Sequence, residues 1–104
     1  MKEETVRRFE ITPSQYELFR FKVKHPATLN IQLIATAPVN LLLLSTEDKA
    51  DYENGKSATH SYTASWGRRS DLDENVKVDA GTWYLAVEGS TESSRGRIKV
   101  SLEG

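Results

Sequence analysis

The stretch VKVDAGTWYLAVEG, residues 76–89, has the clearest strand pattern in the chain. After a tight turn at residues 79–81, large apolar side chains occupy every second position: Trp83, Leu85 and Val87. Successive side chains of a β-strand point to opposite faces, so this alternation predicts a strand with one buried face. Before the turn, Leu72, Val76 and Val78 predict the preceding strand.

The same alternation predicts six more strands on either side of this stretch. They cover residues 9–11, 19–23, 29–33, 39–44, 57–66 and 97–102. Residues 39–44 are apolar at nearly every position, which is typical of a strand covered on both faces. Residues 57–66 are polar but rich in β-formers, which favours a half-exposed edge strand. Breaks are expected at Pro13, Pro26 and Pro38 and at a turn over residues 67–70.

The fold class predicted from these strands is all-β: a two-sheet antiparallel β-sandwich, jelly-roll-like, with about eight strands and one short helix. Each strand has an apolar face that a second sheet must cover, and a barrel is the alternative arrangement. The helix is expected at residues 45–53, because Ser45 is a good N-cap residue with Asp48 three positions later. Gly55 follows its predicted end.

Composition indicates one domain over residues 1–104, since this length supports a single core. A formal net charge of −1 with interleaved signs argues against a nucleic-acid partner. No stretch is apolar for long enough to cross a bilayer or to act as a signal peptide, so we expect no membrane partner. The localisation expected is cytoplasmic if the chain is complete and extracellular if it is excised from a secreted protein. The absence of cysteine leaves the redox compartment open.

Residues 78–89, VDAGTWYLAVEG, resemble the glycine-aromatic strand of pre-peptidase C-terminal (PPC) domains, which are small jelly-roll modules. Upstream, residues 19–23, 29–33 and 39–44 are similar in order to the earlier strands of that family. The secreted members usually carry an acidic pair before the second strand, and residues 14–19 have none. Some PPC relatives bind calcium, so the resemblance makes calcium conceivable here.

A second resemblance is to an uncharacterised family of small bacterial sandwich domains, some attached to TIR signalling domains. Residues 42–45, 51–55 and 60–62 stand where that family has its characteristic apolar and tyrosine-containing segments. The missing acidic pair favours this second family over a protease-appended role. Both resemblances imply a fold, and neither implies a particular ligand.

Catalysis is not predicted, so the chain is expected not to be an enzyme. His25 and His60 are the only histidines, and no serine elbow accompanies them. Asp71 and Asp73 would share one face of a strand, with Glu74 or Asn75 supplying a further oxygen to calcium. Charged residues at the start of a strand are more simply solvated, so we predict no metal and no cofactor.

The residues expected to bind a ligand are Tyr52, Tyr62, Trp66, Arg68 and Arg69. Trp66 is the candidate exposed anchor beside two cations, although it would serve equally well as a cap on the core. Trp83 is assigned to the core. The function expected is a non-catalytic interaction or ligand-binding module, an accessory or adaptor domain that binds an unidentified protein or carbohydrate ligand through these residues. The alternatives are a carbohydrate-binding module and a structural domain that oligomerises through the edge strand at residues 57–66.

Overall fold

The computed structural model describes residues 2–53 and 64–103, with side chains described from residue 4 onward except at 51, 52 and 103. Six strands and one helix make up the described chain: β1 Lys2–Ile11, β2 Tyr16–Val23, β3 Ala27–Ser45, α1 Thr46–Glu53, β4 Ala64–Val78, β5 Gly81–Gly89 and β6 Ser94–Glu103. None of the described residues forms a helix of the length and apolar character needed to cross a membrane.

All six strands belong to one antiparallel sheet in which β3 is central. The order is β1-β6-β3-β5-β2, with β4 also paired to β3. The first half of β3, residues 28–35, pairs with β6, and its second half, residues 39–45, pairs with β5. One strand therefore carries two half-sheets, β1-β6-β3 and β3-β5-β2, and β4 pairs with β3 along both.

The two halves meet at an irregularity in β3 between Ile34 and Val39. Three more residues lie on β3 than on β4 across this interval, so the strand bulges there. The hydroxyl of the buried Ser94 accepts a hydrogen bond from the Ala37 amide at 3.1 Å and donates one to the Ala37 carbonyl at 2.7 Å. Pro38, which has no amide hydrogen, is tolerated because it lies in the bulge.

The main core is formed by the inward side chains of both half-sheets. Its members come from every strand: Phe9, Ile11, Val23, Leu29, Ile31, Leu33, Val39, Leu41, Leu43, Leu72, Val78, Leu85, Val87, Ile98 and Val100. A smaller cluster, Leu42, Leu44 and Ala86, lies on the opposite face of β3 and β5. The prediction that residues 39–44 are covered on both faces is therefore confirmed.

Helix α1 begins where the sequence predicts it. The Asp48 amide donates to the Ser45 hydroxyl at 3.2 Å, and the Ser45 amide donates to the Asp48 carboxylate at 3.4 Å. This reciprocal pair satisfies two backbone amides at the helix start. With six strands and this one eight-residue helix in the described chain, the predicted all-β class with one short helix is confirmed.

Two separate sheets and about eight strands are not confirmed, because the described residues form six strands in one hydrogen-bonded sheet. Residues 29–33 and 39–44, predicted as two strands, are parts of β3. The predicted turn at residues 67–70 is wrong: these residues lie within β4. Of the predicted edge strand 57–66, only residues 64–66 are described, and they begin β4.

Candidate interaction surface

Trp66 and the two arginines that follow it lie at a second bulge, in β4. Between the paired residues Leu41–Trp66 and Val39–Arg69, β4 has one residue more than β3. Arg68 takes up the difference with a φ of 53°, and its amide donates to the Asn40 side-chain oxygen at 2.9 Å. Arg68 and Arg69 are exposed, whereas Trp66 is half-buried and packs against the main core. The geometry is that of a cap on the core.

The two tyrosines that were predicted to bind a ligand with Trp66 have no described side chains, so their positions relative to Trp66 are not described. Tyr62 lies outside the described residues, as does His60, and for Tyr52 only the backbone in α1 is described. The predicted aromatic group is therefore represented in the described structure by Trp66 alone. His25 is exposed in the turn between β2 and β3.

Trp83 and Tyr84 are neighbours on β5 and pack against the two apolar clusters on opposite faces of that strand. Trp83 is half-buried against the main core, as the sequence predicts, and its indole nitrogen donates to the Asp79 carbonyl at 2.9 Å. Tyr84 packs on the smaller cluster, with the Lys49 ammonium 5.2 Å from its ring centroid. Lys49 also pairs with Glu53, and that hydrogen bond raises the pKa of the lysine above its usual value.

The acidic segment of β4 presents its carboxylates on both faces of the strand. Asp71 and Asp73 are exposed on the outer face, while the half-buried Glu74, the next residue after Asp73, faces the other way by alternation. Asp73 and Asn75 each accept a hydrogen bond from the Asn30 amide nitrogen, at 2.8 and 2.9 Å. Across the part of the chain that the structure describes, no group of three acidic or histidine side chains could hold a metal ion.

A surface that the sequence did not single out lies on the outside of β1, β6, the first half of β3, and β4. Its residues stand in two rows across the sheet, since paired residues share a face. One row is Arg8, Arg97, Ile34 and Asp71, and the next is Val6, Lys99, Gln32 and Asp73. Arg95 lies two positions before Arg97 on β6 and therefore on the same face. We call these nine residues the arginine face.

A cleft of about 660 Å³ opens along one end of the arginine face, beside the β3 bulge. Three guanidinium groups line it, from Arg8, Arg95 and Arg97, together with Ile34, which is 58% exposed. Gly96 forms part of the floor, where a Cβ atom would lie 2.0 Å from the Ile34 carbonyl oxygen. Glycine is therefore needed for β6 to approach β3 this closely. Glu10 and Glu17 complete the wall.

The charges in this cleft are poorly compensated. Arg8 and Arg97 are directly opposite each other on adjacent antiparallel strands, an arrangement that is destabilising for like charges. Among the described side chains (residues 4–50, 53 and 64–102), neither guanidinium makes an ion pair, and nor does Arg95. Lys99 differs, with its ammonium 3.6 Å from the Glu4 carboxylate. The cleft thus has three arginines against two carboxylates, Glu10 and Glu17, and Arg8 and Arg97 face each other while Arg95 is paired in register with Glu10.

One signal in the sequence indicates this surface. Arg95, Arg97 and Lys99 occupy every second position before the last apolar positions, so one face of a single strand carries three cations. Arg8 and Ile34 join them only through strand pairing, which alternation does not specify.

No family model and no curated protein matches the chain. Among solved structures, the fold is similar to the pre-peptidase C-terminal domain of a collagenase from Bacillus anthracis, with a TM-score of 0.62 and 14% sequence identity. The match covers 95% of this chain and 88% of that one. It confirms the resemblance to PPC domains at the level of fold, while the resemblance to domains attached to TIR domains stays a prediction.

Proposed function

We propose that the chain is a non-catalytic protein-interaction module that contacts an acidic partner surface through the arginine face. The observation that carries this proposal is the opposed pair Arg8 and Arg97, which has no acidic partner within 4 Å among the described side chains. Holding two unpaired guanidinium groups side by side opposes folding, and a bound carboxylate relieves that repulsion. Arg95 adds a third donor group at the same cleft.

A protein partner fits this surface better than a carbohydrate. Sugar rings stack on exposed aromatic faces, whereas the exposed apolar side chains here are the aliphatic Ile34 and Val6. Trp66, the aromatic residue predicted to contact a sugar, packs against the core instead. Arginine with an aliphatic neighbour suits a protein segment that offers both a carboxylate and an apolar side chain.

An accessory role agrees with the structural comparison. The similar solved structure is a C-terminal domain of a collagenase, and its likeness to this chain supports an appended, non-catalytic module. The function itself rests on the arginine face and is not inherited from that protein, because the two chains share only 14% identity.

The proposal is tested with fluorescent peptides of equal length and apolar content that differ only in their number of acidic residues. Fluorescence anisotropy gives the dissociation constant for each peptide. We expect affinity to rise with acidic content, and the double variant Arg8→Glu/Arg97→Glu to weaken binding by at least about tenfold. Arg20→Glu, at an exposed arginine on β2, is the control for the single variant Arg97→Glu, which makes the same change in charge, and it should bind as the unmodified chain does.

Two results would contradict the proposal. One is affinity that is independent of peptide charge. The other is an equal loss of binding in Arg20→Glu, which would indicate a response to net charge and not to the arginine face. Arg69→Glu tests the segment around Trp66 that the sequence analysis favoured. If the arginine face is the binding surface, this variant should bind the acidic peptides as the unmodified chain does.

A further inference from the structure

We infer that the partner engaged by the arginine face is a second copy of this chain, in a weak, symmetric, salt-sensitive dimer. This inference rests on the proposed function, because it names the acidic surface that the arginine face contacts. The argument comes from how charge is distributed across the face. One side of the face is cationic and the other acidic, with uncharged side chains between them.

The charges form two columns on either side of β3. Arg97 and Lys99 on β6 make the cationic column, and Asp71 and Asp73 on β4 make the acidic one. Between them, β3 contributes Ile34 and Gln32, which are paired in register with both columns. Cation, neutral side chain and acid therefore follow one another across the sheet in each of the two rows.

A two-fold axis running along β3, in the plane between two such faces, superimposes opposite charges. This rotation exchanges the two sides of β3 and leaves the rows aligned. It places Arg97 over Asp71 of the second copy and Lys99 over Asp73 of the second copy. An axis perpendicular to the strands would instead oppose cations with cations. The face is self-complementary in one orientation, which is the requirement for a symmetric dimer.

Ile34 lies where this axis passes, so the two copies of that side chain would pack against each other. It is the most exposed large hydrophobic residue in the described chain, at 58%. Packed sheets lie ~10 Å apart, a gap that an extended arginine and an aspartate span together. The dimer would thus bury an exposed apolar side chain and pair Arg97 with Asp71 of the second copy. Lys99, whose ammonium lies 3.6 Å from the Glu4 carboxylate of its own chain, would add a second contact with Asp73 of the second copy.

The expected strength follows from the size of the surface. With the axis along β3, only β6, β3 and β4 of the two copies overlap, so the footprint is on the order of 200 Å² per copy, about a quarter of the ~800 Å² in a stable interface. We therefore expect a weak complex, with a dissociation constant on the order of 1 mM at low salt. The formal net charge of −1 adds little long-range repulsion between copies.

Sedimentation equilibrium on the full chain tests the inference. At about 50 mM salt the weight-average mass should rise from 11.7 kDa toward twice that value with concentration, and at about 500 mM salt it should stay monomeric. Arg97→Glu/Lys99→Glu should abolish association, as should Asp71→Lys/Asp73→Lys. Mixing these two variants should restore a dimer of unlike copies, because each then presents charges opposite to its neighbour's.

The mixing experiment is the decisive arm. Restored association supports the two-fold arrangement, since a structural effect of either variant would not be rescued by the other. A mass of 11.7 kDa at all concentrations at low salt would overturn the inference, as would failure of the mixture to associate when both variants keep the native circular-dichroism spectrum. If association is absent while acidic peptides still bind, the dimer fails and the proposed function stands. If the acidic peptides also fail to bind, both the dimer and the proposed function are contradicted.

Discussion

Replacing Ser94 with alanine should destabilise the fold by removing the side-chain hydroxyl that bonds to the β3 bulge. Among the described residues, its hydroxyl bonds to both the amide and the carbonyl of Ala37, and Ser94 is 3% exposed. Ser94→Ala removes both hydrogen bonds and leaves two buried backbone groups without their partner. A buried unsatisfied group costs ~1–3 kcal/mol, and partial relaxation of the bulge reduces the sum, so we expect a loss of about 2–3 kcal/mol.

Equilibrium urea unfolding measures this loss directly, with the midpoint read by tryptophan fluorescence. For a domain of this length, each kcal/mol corresponds to about 4–8 °C in melting temperature, so a shift of roughly 8–20 °C should accompany it. Ser93→Ala is the matched control, because Ser93 is exposed and its loss should stay within ~0.5 kcal/mol. A loss below about 0.5 kcal/mol in Ser94→Ala would refute the view that this hydroxyl holds the bulge.

Two further substitutions test other contacts. Gly96→Ala should lower the free energy of unfolding by at least about 3 kcal/mol, because the new Cβ atom would lie 2.0 Å from the Ile34 carbonyl oxygen. Gly67→Ala is the control, since its Cβ atom would meet its nearest neighbour at 3.6 Å and the loss should be much smaller. Thermal melts of the two variants compare these losses. Ser45→Ala should cost ~1 kcal/mol in urea unfolding, since it removes the oxygen that accepts the Asp48 amide, and an unchanged midpoint would show that this cap is dispensable.

Local pattern is enough to identify most strands of this fold. Residues 19–23, 83–87 and 97–102 alternate cleanly, and each lies in a strand of the sheet. The capping pair at Ser45 and Asp48 places the helix start for the same reason: both partners are three residues apart in sequence. These features depend on neighbours along the chain, which a sequence displays directly.

Strand continuity is harder to predict because a bulge and a turn favour the same residues. Ala37-Pro38 and Gly67-Arg68 both look like chain reversals, yet each lies inside a long strand. The difference is made by distant side chains: Ser94 holds the first bulge and Asn40 the second. Those contacts span 57 and 28 residues, so no local pattern contains them.

The same limit explains why the candidate surface was missed. Exposed aromatic residues and adjacent arginines stand out in a sequence, which drew attention to Trp66, Arg68 and Arg69. The arginine face is assembled instead by register, which sets Arg8 opposite Arg97 and Ile34 beside it. A one-residue slip of β1 would send Arg8 to the core side, so the surface exists only once pairing is known.

The central position of β3 also governs how a newly made chain acquires its structure. The three strands that pair with β3 all come later in the chain. As the polypeptide leaves the ribosome, the apolar run at residues 39–44 must wait for β4 and β5 before both of its edges are protected. Such pairing between distant segments is slow, and the delay exposes this run to neighbouring chains. Pro38, immediately before it, shortens the segment that could pair with them.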